Sequence, residues 1–136
     1  MSKVALVLAD HASVFSAYKE TVEQLASILR ARSPFLTVKV GFMEMSSLSI
    51  HDALTSAVEA GAEKIVVVPV LLSESRHTTQ DIPKLLGLEK VQTRGTLSMG
   101  SLGSVEVVYG RPVGADTRLA DIILGKATEV LKDRGS

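Results

Sequence analysis

The sequence predicts an α/β domain, a parallel four-stranded sheet flanked by helices in the order βαβαβαβα. Two observations predict it. Short, nearly continuous apolar runs rich in β-branched residues recur along the chain, as in strands covered on both faces. Between these runs the apolar residues return at helical spacing. Strands buried on both sides and joined by helices imply parallel pairing with right-handed crossovers. At 136 residues the chain suits one domain, 1–136, rather than two.

The first strand is the run Val4 to Leu8. Val14, Phe15, Tyr18, Val22, Leu25, Ala26, Ile28 and Leu29 then trace a helix that Ser13 is placed to cap and Ser33-Pro34 breaks. A second strand runs from about Leu36 to Met43. The next helix carries Ile50, Ala53, Leu54, Ala57 and Val58 on one face. Ser49 with Asp52 three residues later reads as a capping-box variant, and Gly61 as the stop. Lys64 to Leu72, with Ile65, Val66, Val67, Val68 and Val70, is the strongest strand pattern. A short helix around Ile82 to Leu86 follows. Gly95 to Ser104 is rich in Gly and Ser, which predicts a flexible loop and not a packed element. Val105 to Tyr109 is the fourth strand. The closing helix, Ala115 to Leu131, has Leu119, Ile122, Ile123, Ala127, Val130 and Leu131 on its apolar face.

Composition narrows the chemistry. Fifteen basic and fifteen acidic residues cancel, and no basic block tracks a phosphate backbone, which argues against nucleic acid as a partner. The absence of cysteine excludes disulfides and thiolate metal sites, leaving His, Asp, Glu or Met as ligands. The apolar run from Val4 to Ala9 is too short for a signal h-region or a membrane span, so a cytoplasmic, membrane-free protein is the expectation.

In folds of this class, sites sit at the carboxyl ends of the strands. Asp10-His11-Ala12-Ser13 stands after the first strand and Glu44 after the second. Ser73 to Thr78, including Glu74, Arg76 and His77, follows the third, and Gly110 to Asp116 the fourth. A loop histidine is ordinarily a solvated residue, and His51, in the first turn of the second helix, reads that way. Asp10 reads equally as a turn former, a cap partner or a ligand. His11 and His77 at equivalent strand ends, with Glu44 between them, form a more specific pattern. Two imidazoles and a carboxylate suit Co²⁺ or Ni²⁺, and histidine also accepts protons near neutral pH. A phosphorylated receiver domain is excluded, because Leu71 and Leu72 stand where its acceptor aspartate belongs. A dinucleotide site is excluded because no Gly-x-Gly-x-x-Gly follows the first strand.

Three segments carry a resemblance across nearly the whole chain. They are Val40-Gly41-Phe42-Met43-Glu44; Val67-Val68-Pro69-Val70-Leu71-Leu72 leading to His77-Thr78 and Asp81-Ile82-Pro83-Lys84-Leu85-Leu86; and Arg111-Pro112-Val113-Gly114-Ala115-Asp116. The chain resembles the short archaeal-type class II chelatases, single-domain relatives of the sirohydrochlorin cobaltochelatases and nickelochelatases.

That resemblance implies ATP-independent insertion of Co²⁺ or Ni²⁺ into sirohydrochlorin, with iron as a possible side activity. The ion is a substrate, and no tightly bound cofactor is implied. His11 and His77 would bind the ion and accept pyrrole protons, and Glu44 would assist. The resemblance also implies a homodimer whose intersubunit cleft holds the macrocycle. Arg76 and Arg111, ahead of Lys84, Arg94 and Arg118, would meet the substrate's carboxylates, with Ser13 in the first loop. Leu97, Met99 and Leu102 would lie over the macrocycle face. A non-catalytic metal or tetrapyrrole carrier is the competing reading. The family usually writes the first loop Gly-His-Gly-Ser and has small residues before the second histidine. Asp10, Ala12, Glu74, Ser75 and Arg76 depart from that pattern.

Overall fold

The computed structural model describes residues 3–11, 16–43, 49–89 and 93–132, leaving the side chains of 11 and 16–18 aside. Its centre is strand β1 (Val4–His11), hydrogen-bonded in parallel to β2 (Val38–Met43) on one side and to β3 (Lys64–Pro69) on the other. Parallel β5 (Ser104–Tyr109) extends the sheet beyond β3. An antiparallel strand β4 (Arg94–Ser98) closes the far edge, so the order is β2-β1-β3-β5-β4. A strand flanked on both edges and both faces favours an apolar run, and in Val4 to Ala9 the residues Ala5, Val7 and Ala9 are fully buried.

Helices cover the two faces unequally. Helices α2 (Ile50–Glu59) and α3 (Ile82–Leu85) share a core with Ala5, Val7, Ala9, Ile65, Val67, Val105 and Val107. On the opposite face α1 (Ser16–Arg32) sets Val22 and Ala26 against Leu6, Leu8, Val38, Val40 and Phe42. Leu29 packs there too, but Leu25 and Ile28 are exposed, so the buried stripe of α1 is narrower than its apolar pattern. The guanidinium of Arg30 donates from Nε and Nη2 to the Val38 carbonyl at 3.0 and 2.8 Å, tying the end of α1 to the start of β2. The expected start of α2 is observed: the Ser49 hydroxyl accepts from the Asp52 N–H at 3.0 Å.

Three expectations need correction. The sheet has five strands rather than four, because the segment read as a flexible loop contains β4. This is an edge strand with alternating exposure, in which Gly95 and Leu97 are partly buried and Thr96 and Ser98 face out. Its glycines serve the hairpin, since Gly100 and Gly103 hold φ of 61° and 87° in the turn to β5. β1 continues past Leu8 to His11, so Asp10 is a fully buried strand residue and not a turn former. β3 ends at Pro69, short of Leu72, which is exposed. Helix α4 (Thr117–Lys132) follows the predicted span, but none of its residues is buried. Among the described residues no helix is long and apolar enough to cross a membrane.

Gly41 allows α2 to lie close on β2. A Cβ added there would stand 2.6 Å from the Ile50 Cα, a backbone atom that cannot swing away. Gly41→Ala is therefore expected to destabilise the fold by about 1–3 kcal/mol, as overpacking does. Urea denaturation tests this, and an unchanged midpoint would show that α2 shifts without cost.

Candidate functional site at the carboxyl edge of the sheet

Adjacent strands β2, β1 and β3 end at one edge. His11 is the last residue of β1 and pairs with Met43, the last residue of β2. Glu44, next in the chain, and Ser13 lie outside the described residues, and only the backbone position of His11 is described. The chain leaving β3 stays at this edge. Val70 N–H donates to the Ala9 carbonyl at 2.8 Å, and the carbonyls of Leu71 and Leu72 accept from Val113 and Gly114 at 2.9 and 2.7 Å. The segments after β3 and β5 are thus bound to each other beside the end of β1.

His77 opens a π-helical turn, His77–Asp81, that runs directly into α3. The reason for this wide turn's stability lies in the backbone accounting. Ile82 N–H bonds to the His77 carbonyl, five residues back. In the same register the Thr78 carbonyl would take its hydrogen from residue 83, but Pro83 has no N–H. The Tyr109 hydroxyl, at the end of β5, donates to the Thr78 carbonyl at 2.8 Å instead. Short π-turns of this kind are frequent at functional sites.

Thr78 is buried, and its side chain holds the approach to this turn. Its hydroxyl accepts from Ser75 N–H at 2.8 Å and donates to Glu74 Oε1 at 2.7 Å. Glu74 Oε2 in turn meets Arg111 Nη2 at 3.0 Å. The pair is largely exposed and contributes little to stability, yet it joins the loop after β3 to the segment after β5. Burial, with a smaller contribution from the Glu74 charge, pushes the Tyr109 phenol up to about 12.

The His77 ring is itself held. Its Nδ1 lies 3.0 Å from Asp81 Oδ2, one turn along the same helix, and both side chains are half-exposed. With Nδ1–H donated to the carboxylate, the lone pair resides on Nε2, the atom that can accept a proton or bind a cation.

A family model described as CbiX matches residues 5–130. The chain belongs to the CbiX family. Relatives cover nearly its whole length: a sirohydrochlorin cobaltochelatase from Methanopyrus kandleri is 37% identical across 94% of this chain and 97% of its own. Another from Methanocaldococcus jannaschii is 37% identical over 90% and 96%. Among solved structures, the sirohydrochlorin chelatase SirB from Bacillus subtilis subspecies spizizenii, in complex with cobalt, shares the fold with a TM-score of 0.75 at 20% identity. The match takes in 94% of this chain and 51% of SirB, so the chain spans about half of that protein. A CbiX protein from Marinobacter aquaeolei matches over 95% of this chain and 98% of its own, with a TM-score of 0.68 at 22% identity.

For this CbiX protein the structure gathers some of the sequence-predicted residues and disperses others. His77, Arg76 and Arg111 stand at the same edge as the end of β1. Arg76 is exposed and immediately precedes the π-turn, while Arg111 is committed to Glu74. Met99 is not brought there. The β4–β5 turn lies at the opposite edge, because β5 starts beside the start of β3, and Leu97 and Met99 pack against the core while Leu102 is exposed. Lys84 and Arg94 are exposed, as is His51. Arg118 is bound to Asp116, its Nε and Nη2 donating at 2.8 and 2.7 Å to the carboxylate that also accepts Arg118 N–H at the start of α4. These hydrogen bonds hold the Asp116 carboxyl well below the usual carboxylate range. Asp81, Thr78 and Tyr109 had no role assigned from sequence. The spacing His77-x-x-x-Asp81 was the available signal, since residues four apart are neighbours on a helix.

Tyr109 offers a direct test of this bracing. In a Tyr18→Phe variant it is the sole tyrosine, and pH-jump absorbance should place its ionisation near 12. Above pH 10 the unfolded chain releases this proton while the folded chain keeps it, so stability should fall as pH rises from 10 towards 12. An ionisation near 10 would mean that the phenol is solvated rather than buried.

Proposed function

We propose that this chain is an ATP-independent sirohydrochlorin chelatase that inserts Co²⁺, and Ni²⁺ by the same chemistry, working in the cytoplasm for tetrapyrrole cofactor synthesis. One observation supports the reading: His11 ends β1, and the segment that leads to His77 leaves the adjacent strand β3 at the same edge, in a chain of the CbiX family whose curated relatives are cobaltochelatases over nearly their full length. In the proposed reaction a divalent ion enters the macrocycle as two pyrrole N–H protons leave. His11 and His77 bind the ion and accept those protons in turn, and Glu44 supplies negative charge or a further proton acceptor. No ATP and no resident cofactor enter the balance. Arg76 and Arg111 meet the substrate's carboxylates, Arg111 by exchanging Glu74 for a substrate carboxylate. Ser13 completes the first loop.

We further propose that the working unit is a homodimer. Helix α4 leaves Ile122, Ile123, Leu124, Val130 and Leu131 each at least 59% exposed, an apolar surface of the kind that marks an interface. The single domain spans about half of SirB, so a second copy of this chain would supply the missing half.

Anaerobic absorbance assays with sirohydrochlorin and Co²⁺ should show insertion faster than the protein-free control. His77→Ala should lower kcat by about 100-fold or more, while His51→Ala stays within about twofold. Tight pigment binding without acceleration would instead make the protein a carrier. Sedimentation should give a dimer, and Ile122→Asp with Val130→Asp a monomer. A wild-type monomer at micromolar concentration would retire the dimer.

A further inference from the structure

We infer that Asp81 is a positioning residue that fixes the tautomer and orientation of His77, presenting Nε2 to the metal ion. This rests on the chelatase reading for its chemistry, though not for its geometry. The observation is the 3.0 Å approach of His77 Nδ1 to Asp81 Oδ2 across one helical turn. An imidazole that binds a metal almost always donates its other N–H to an oxygen acceptor, and that bond decides which nitrogen carries the lone pair. A neutral histidine in water favours the proton on Nε2, which would point an N–H at the ion.

The surroundings give the pair its rigidity. Asp81 adjoins Ile82, a fully buried residue, and Pro83 restricts the backbone immediately after it. Residue 78 is bound through its carbonyl to Tyr109 and through its hydroxyl to Ser75 and Glu74. Both ends of the turn are therefore held, and the carboxylate meets the ring without ordering a flexible loop. Substrate contact is not required of Asp81; it acts through His77.

The test separates this inference from the chelatase assignment. Nitrogen-15 NMR at pH 9, with His77→Gln to assign the signals, should show the neutral His77 ring protonated at Nδ1 in the wild-type protein. Asp81→Ala should move that proton mainly to Nε2, with circular dichroism unchanged. Asp81→Asn keeps an acceptor oxygen and should retain much of the Nδ1–H form. An Nε2–H ring in the folded wild-type protein would overturn the inference whatever the protein catalyses. In the insertion assay, Asp81→Ala should lower kcat about 10–100-fold with KM for sirohydrochlorin within about twofold, and Asp81→Asn should recover part of the loss. Wild-type kcat in Asp81→Ala, with the tautomer changed, would also overturn the positioning role. Absence of insertion by the wild-type protein would refute the chelatase reading and leave the tautomer result standing.

Discussion

The double pairing of β1 is the constraint on which the rest of this molecule depends. A strand bonded in parallel on both edges and covered on both faces has no solvent-facing positions, so its body must be small and apolar. Ala5, Val7 and Ala9 meet that condition, with no exposed surface. The same pairing aligns the carboxyl ends of β2, β1 and β3. Polar residues return only at the carboxyl end of the strand, where Asp10 is still fully buried. The chemistry is placed by the topology before any individual side chain is considered.

Around that edge the protein uses short hydrogen bonds rather than apolar packing. Tyr109, Thr78, Glu74 and Arg111 join the segments after β3 and β5, and most of these groups retain some access to water. This suits the multiply charged substrate proposed above. Arg111 has an adjustable role in this arrangement, since its present partner is an exposed carboxylate on the loop before His77.

Much of this was legible in the sequence, and what was not has identifiable causes. Core strands and α2 declared themselves through uninterrupted β-branched runs and through Ser49 with Asp52. β4 was hidden because an edge strand needs only half of its residues apolar, and the Gly and Ser around its hairpin imitate a loop. Met99 was misplaced for the same reason, since its distance from the carboxyl edge follows from antiparallel pairing invisible to composition. His77 could be picked out by its position after β3. Its partner Asp81 needed the helical turn, and Tyr109 needed a contact across 31 residues that no local pattern encodes. The span of α4 was legible in its apolar periodicity, but periodicity does not say whether those residues are covered, and none of them is buried.

The meeting of Tyr109 with the Thr78 carbonyl has a consequence for how this sequence can vary. One hydroxyl at the end of β5 answers for one hydrogen that Pro83 cannot donate, so the two positions share a single requirement. A chain that acquires an ordinary residue at 83 regains a backbone donor and loses the need for a phenol at 109. A chain that gives up the phenol first leaves a carbonyl with no donor at a buried residue. Drift at these sites therefore has a preferred order on this account, with the buried proline changing before the tyrosine.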